Sequence, residues 1–148
     1  MEEKRISRLL SRLDGSGSDS EWQAVEQLRG ELGVALLPYL RSLYESSASW
    51  EVRSSCVYHA VRHARESDEA VSLGLKAARD RSHAVRYRAC MLLAYSLRAD
   101  LLEELKSLIT DGASSQDDLL AAIDAIEHQN HHYFADRTHS GMVRMNIG

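Results

Sequence analysis

The chain has 148 residues, 44% of them hydrophobic and 27% charged, with a net charge of −4 and a single proline, Pro38. That length suits one domain with a sizeable core, and abundant Ala, Leu, Arg and Glu with few β-branched clusters predict an all-α fold. No run of about 18 apolar residues exists to span a membrane. The charged start, Met1 to Arg5, lacks an apolar signal core and predicts a cytoplasmic protein.

In chain order, Glu2 to Leu13 carries Ile6, Leu9, Leu10 and Leu13 at helical spacing and stops at a Gly/Ser loop, Asp14 to Ser18. Ser18, Asp19 or Ser20 can cap a helix from Glu21 to Leu32, with Trp22, Val25, Leu28 and Leu32 on one face and Gly33 as the stop. Val34 to Tyr44 is a short apolar helix in which Pro38 is tolerated only near the first turn. A turn at Ser46 to Ser49 leads into a longer helix from Trp50 to about Arg65. Glu66 to Arg79 is short again, with Val71, Leu75 and Ala78 inward. Asp80 to Leu97 is long, with Val85, Ala89, Leu92 and Ser96 on a wide apolar face. Asp100 to Ile109 and then Asp118 to about Gln129 complete the alternation, the last with Leu119, Ala122, Ile123 and Ile126 inward.

Val52-Arg53 and Val85-Arg86 fall at the same phase of two helices, 33 residues apart, and Cys56 and Cys90 sit at nearly equivalent places. The cysteines are small, mid-helix and 34 apart, so buried free thiols are expected rather than a disulfide. Short and long helices alternate three times from Val34 onward, and neither member of a pair can bury its face alone. On these residues, together with Ala60, Asp80, Leu36-Leu37 and Leu101-Leu102, the chain from Val34 to Gln129 resembles the HEAT-like repeat family. The resemblance implies a short helical-hairpin solenoid over residues 1–131, with units at about 34–65, 66–98 and 99–131 and N-terminal capping helices. The third unit departs, because Leu119-Leu120 replaces Val-Arg and ends the polar ladder there.

Residues 132–148 read as a C-terminal tail. Asn130 to Gly141 is polar, aromatic and turn-prone, and Met142 to Ile147 alternates apolar and polar, as an extended arm or a β-hairpin does. Asp124, His128 and His132 lie at steps of four and can present two imidazoles and a carboxylate on one helix face. The expectation here is a helix end with histidines near its negative pole, and no metal or cofactor. His59 and His63 are also four apart, flanking packed residues. No Gly-rich phosphate loop, nucleophile elbow or His-Glu-x-x-His pattern is present. Asp136, Arg137 and His139 could make an acid/base cluster, but a structural role is expected, with Asp136 and Arg137 pinning the tail to the last helix, so no catalytic residue is assigned.

Charge is unevenly distributed. Arg53 to Arg98 holds nine Lys and Arg against four Asp and Glu, whereas Asp100 to Glu127 holds one Lys against eight acids. An acidic end of this kind steers basic partners. The tail pattern Asn-His-x-x-Phe-x-Asp-Arg-x-His-Ser-Gly, residues 130–141, is similar to immunity proteins of polymorphic toxin systems, including contact-dependent growth inhibition. That resemblance implies a non-catalytic cytoplasmic protein that neutralises a cognate, basic toxin domain, a nuclease for instance, as a monomer or in a 1:1 complex. The residues expected to meet it are Asp100, Glu103, Glu104, Asp111, Asp117, Asp118, Asp124 and Glu127, with Tyr133, Phe134 and Met142 as apolar anchors. Two alternatives stand beside it. One is a small-molecule protein of the bilin-lyase type using Tyr58, His59 and Tyr87. The other is a nucleic-acid scaffold using Arg53, Arg86 and Arg88, disfavoured by the negative net charge and low aromatic content.

Overall fold

The computed structural model describes residues 2–111 and 116–147, with the side chains of Thr110 and Asp111 outside that description. The described residues are all-α, and no strand occurs among them. Eight helices are seen: α1 (Glu3–Leu10), α2 (Asp19–Leu32), α3 (Leu36–Ser46), α4 (Trp50–Ala60), α5 (Asp68–Ala77), α6 (His83–Ser96), α7 (Leu102–Asp111) and α8 (Gln116–Glu127). Short 3-10 turns at Gly33–Ala35, Val61–His63, Ala99–Leu101 and His131–Phe134 link or follow them. None of the helices is long and apolar enough to cross a membrane.

Side-chain caps start several helices. The hydroxyls of Ser18, Ser49 and Ser67 accept from the backbone N–H of Glu21, Val52 and Ala70, satisfying donors the first turn leaves open. Pro38 sits within the first turn of α3, where its missing N–H removes no helical bond. The helix from Trp50 is shorter than its apolar pattern predicts, because the chain tightens into a 3-10 turn after Ala60. Leu97 ends α6 in the left-handed region at φ 54°, and the Gln129 amide donates to its carbonyl at 2.9 Å.

Helices pack as α3 on α4, α5 on α6 and α7 on α8, while α4, α6 and α8 lie side by side. Gly74 allows α5 close to α6, since a Cβ there would meet Leu92 Cδ2 at 2.7 Å. One core runs from Ile6 in α1 to Met145 in the tail and includes both Cys56 and Cys90, buried thiols not joined in a disulfide. Burial raises the Cys56 thiol to about 12, so it carries little thiolate.

The phase match of Arg53 and Arg86 has a structural counterpart. Each Nη1 donates to the carbonyl six residues back, Arg53 to Ser47 at 3.2 Å and Arg86 to Asp80 at 2.9 Å. Arg53 also grips the Asp80 carboxylate with two bonds, at 2.9 and 3.1 Å, inside the fold.

No β-hairpin occurs among the described residues of the tail, which leaves its extended alternative, and the turn His131–Phe134 spans the 131/132 boundary. Phe134 is fully buried in the same core as α6 and α8, and the Met145 N–H donates to His132 Nδ1 at 3.1 Å.

Candidate functional site

On α8, Asp117, Leu120, Ala121 and Asp124 follow at helical spacing along one side. With Arg137 and His139 of the tail they line a shallow groove of about 540 Å³. Leu120 is 54% exposed, one of the few large apolar side chains left to solvent. Neighbouring Leu119 takes the core position, and Leu120, about 100° further round the helix, falls on the open side of α8. The sequence pattern named only Leu119 as inward, and its partner's exposure follows from the same spacing.

The predicted acidic residues divide. Glu103, Glu104, Asp117 and Glu127 are exposed, with Glu127 4.0 Å from Lys106. Asp100 is exposed but paired with Arg98 at 2.8 Å, and Arg98 also reaches Asp68. Asp124 is half-buried and faces two histidines. The side chain of Asp111 lies outside the described residues. Asp118 is corrected: it points inward, is buried, and accepts from Arg137 at 3.0 Å, so it is no part of an exposed face.

The apolar anchors divide too. Phe134 is corrected, since a ring with no exposure in the core cannot meet a partner. Tyr133 is half-buried and stacks on His139 with centroids 3.8 Å apart. Met142 is 86% exposed.

Almost every polar residue of the tail pattern has an internal duty. Asn130 caps the last 3-10 turn through His132 N–H. Asp136 is buried and accepts from Ser140 Oγ, Ser140 N–H and Gly141 N–H, and those bonds, led by the Ser140 hydroxyl, hold its carboxyl below the usual range. Arg137 donates to Phe134 O as well as to Asp118, and His139 Nε2 meets Asp124 Oδ2 at 2.5 Å. Arg137 ties the tail to α8 through Asp118 as expected, whereas the Asp136 carboxylate bonds only Ser140 and Gly141 within the tail itself. His132 is not on the face of Asp124 and His128. The helix stops first, and His139 takes that place.

A second concavity lies between α2, α4 and α6, about 230 Å³ in volume. Gly15, Gly17, Glu21, Trp22, Tyr58, His59 and Arg88 are among the residues lining it. Glu21 is buried, accepting from Ser55 Oγ at 2.5 Å, Gly17 N–H at 3.0 Å and His59 Nε2 at 2.9 Å. Burial lowers the His59 pKa despite the Glu21 carboxylate, so the ring is neutral with its proton on Nε2, and buried Nδ1 has no partner. The Arg88 guanidinium stacks on Tyr58 at 4.3 Å, and Trp22 meets His59 edge-on at 5.2 Å. Gly15, at φ +80°, lies so close to α4 that a Cβ would meet Glu51 O at 2.4 Å, which seats the loop at this rim. Ser55 and His59 bond the same carboxylate oxygen rather than each other, so no nucleophile–base pair forms. Of the three residues nominated for small-molecule binding, Tyr58 and His59 meet here, while Tyr87 packs on Phe134. Glu21 and Trp22 were missed, because a first-turn Glu normally faces solvent.

No protein-family model, no curated protein and no solved structure matches this chain.

Proposed function

We propose that the chain is a short HEAT-like solenoid that binds a basic protein partner, and that it acts as a cytoplasmic immunity protein against a toxin domain. The observation that carries this reading is Leu120, exposed between Asp117 and Asp124 on α8. An apolar centre flanked on α8 by the carboxylates of Asp117 and Asp124, with Arg137 and His139 across the groove, suits a basic surface with an apolar knob. Exposed Glu103, Glu104 and Glu127 extend the negative field. The alternation of helix pairs, with α4, α6 and α8 side by side, supports the solenoid reading.

A small-molecule role is the second reading, favoured by the convergence of Glu21, Trp22, Tyr58, His59 and Arg88 on one cavity. The nucleic-acid reading loses support, because Arg53 is buried on Asp80, Arg86 bonds Asp80 O and Arg88 stacks on Tyr58.

The test is co-purification from native lysate with rising salt, comparing wild type with the triple variant Glu103→Lys, Glu104→Lys, Asp117→Lys. A basic polypeptide should be retained by wild type and released by salt, and the variant should bind it at least about tenfold more weakly at low salt. Equal retention by both proteins would sink the electrostatic reading. A Leu120→Asp variant that still bound fully would remove the apolar centre from the interface.

A further inference from the structure

Asp124, His128 and His139 are the one group of three metal-ligating side chains found together among the described residues, their ligand atoms all within 4.8 Å of one another. Asp124 and His128 stand four apart on and just beyond α8, so they share a face, and His139 arrives from the tail. The side chains are already gathered by direct hydrogen bonds, which a bound metal would replace. His128 Nδ1 lies 3.0 Å from Asp124 Oδ1, and His139 Nε2 lies 2.5 Å from Asp124 Oδ2. Tyr133 stacks on the His139 ring and meets His128 edge-on, fixing both imidazoles. The three side chains are 30%, 52% and 35% exposed, which leaves a water-accessible side.

We propose that Asp124, His128 and His139 bind a divalent cation of the zinc class, which clips the tail to α8. Two imidazoles and one carboxylate suit zinc or a neighbouring first-row metal, whereas magnesium and calcium demand oxygen shells. Three protein ligands leave one position for water. A metal here closes a loop from α8 through His139, adding a tie to the Asp118–Arg137 pair nearby. The inference goes beyond the partner-binding reading and stands without it.

The experiment titrates zinc chloride into the untagged, chelator-stripped full chain by calorimetry, and repeats it with Asp124→Asn, His139→Gln and His132→Gln. Wild type should bind one equivalent. Disturbing an outer-shell partner costs a metal site about 10–100-fold, so loss of a ligand should weaken binding by at least about 100-fold. His132→Gln should change it little. Cobalt(II) should give visible absorption that His139→Gln loses, and zinc but not magnesium should slow proteolysis within residues 135–147. Far-ultraviolet circular dichroism checks that each variant folds, and His128→Gln replaces any that does not. Absence of stoichiometric zinc binding by wild type, or binding unchanged in folded His139→Gln, overturns the site.

Discussion

Arg53 places a full charge in the interior and surrounds it with partners. Its guanidinium makes two bonds to Asp80 and one to Ser47 O, while the Tyr44 hydroxyl donates to Asp80 Oδ2 at 2.6 Å and Ser82 N–H to Oδ1 at 2.9 Å. Burial by itself raises the Asp80 pKa, but the bonds from Arg53 and Tyr44 outweigh it and leave the carboxyl below its usual range. Such a pair adds little over an apolar substitute, yet removing one member strands a buried charge at a cost of about 3–5 kcal/mol. Arg53→Ala should therefore lower the unfolding free energy by about 3 kcal/mol, and Tyr44→Phe by only about 1 kcal/mol. Urea unfolding measures both, and a loss for Arg53→Ala no larger than for Tyr44→Phe would contradict the account.

Among the elements, the tail carries the sharpest contrast between chemistry and appearance. Phe134→Ala removes a fully buried ring and should cost about 3–5 kcal/mol, unfolding the chain at a clearly lower urea concentration. Asp136→Ala releases only the loop through Gly141, so cleavage by protease within that loop should quicken while global stability changes far less. Equal loss of stability in both variants would mean the loop and core are one cooperative unit. The helices were legible in the sequence because apolar residues recur every three or four positions and Ser18 stands ready as a cap, whereas the caps at Ser49 and Ser67 come from the structure. The tail was legible only in part. Its polar residues look surface-bound until their partners are known, and Asp118 and Asp124 meet them through tertiary packing that local spacing does not encode. Glu21 was illegible for the same reason, since Ser55 and His59 lie 34 and 38 residues away.

At the scale of the molecule, histidine burial sets how stability answers to pH. His59, His63 and His131 all have lowered pKa values, led by burial that disfavours the charged ring, with His131 at about 4. Unfolded, each takes a proton near about pH 6.5, so below that the unfolded chain binds more protons than the folded one. Stability is thus fully present above about pH 6.5 and declines as pH falls toward about 4. Urea midpoints should stay level from about pH 7.5 to about pH 6.5 and fall from there toward about pH 5, and His131→Asn should flatten the slope. A midpoint that rose on acidification would refute this. The two matching holds of Arg53 on Ser47 O and Arg86 on Asp80 O have a consequence for how such a chain changes in length. Each hold is closed within its own stretch of seven residues, but Arg53 also grips Asp80 in the next stretch, so cutting out either one would strand a buried charge.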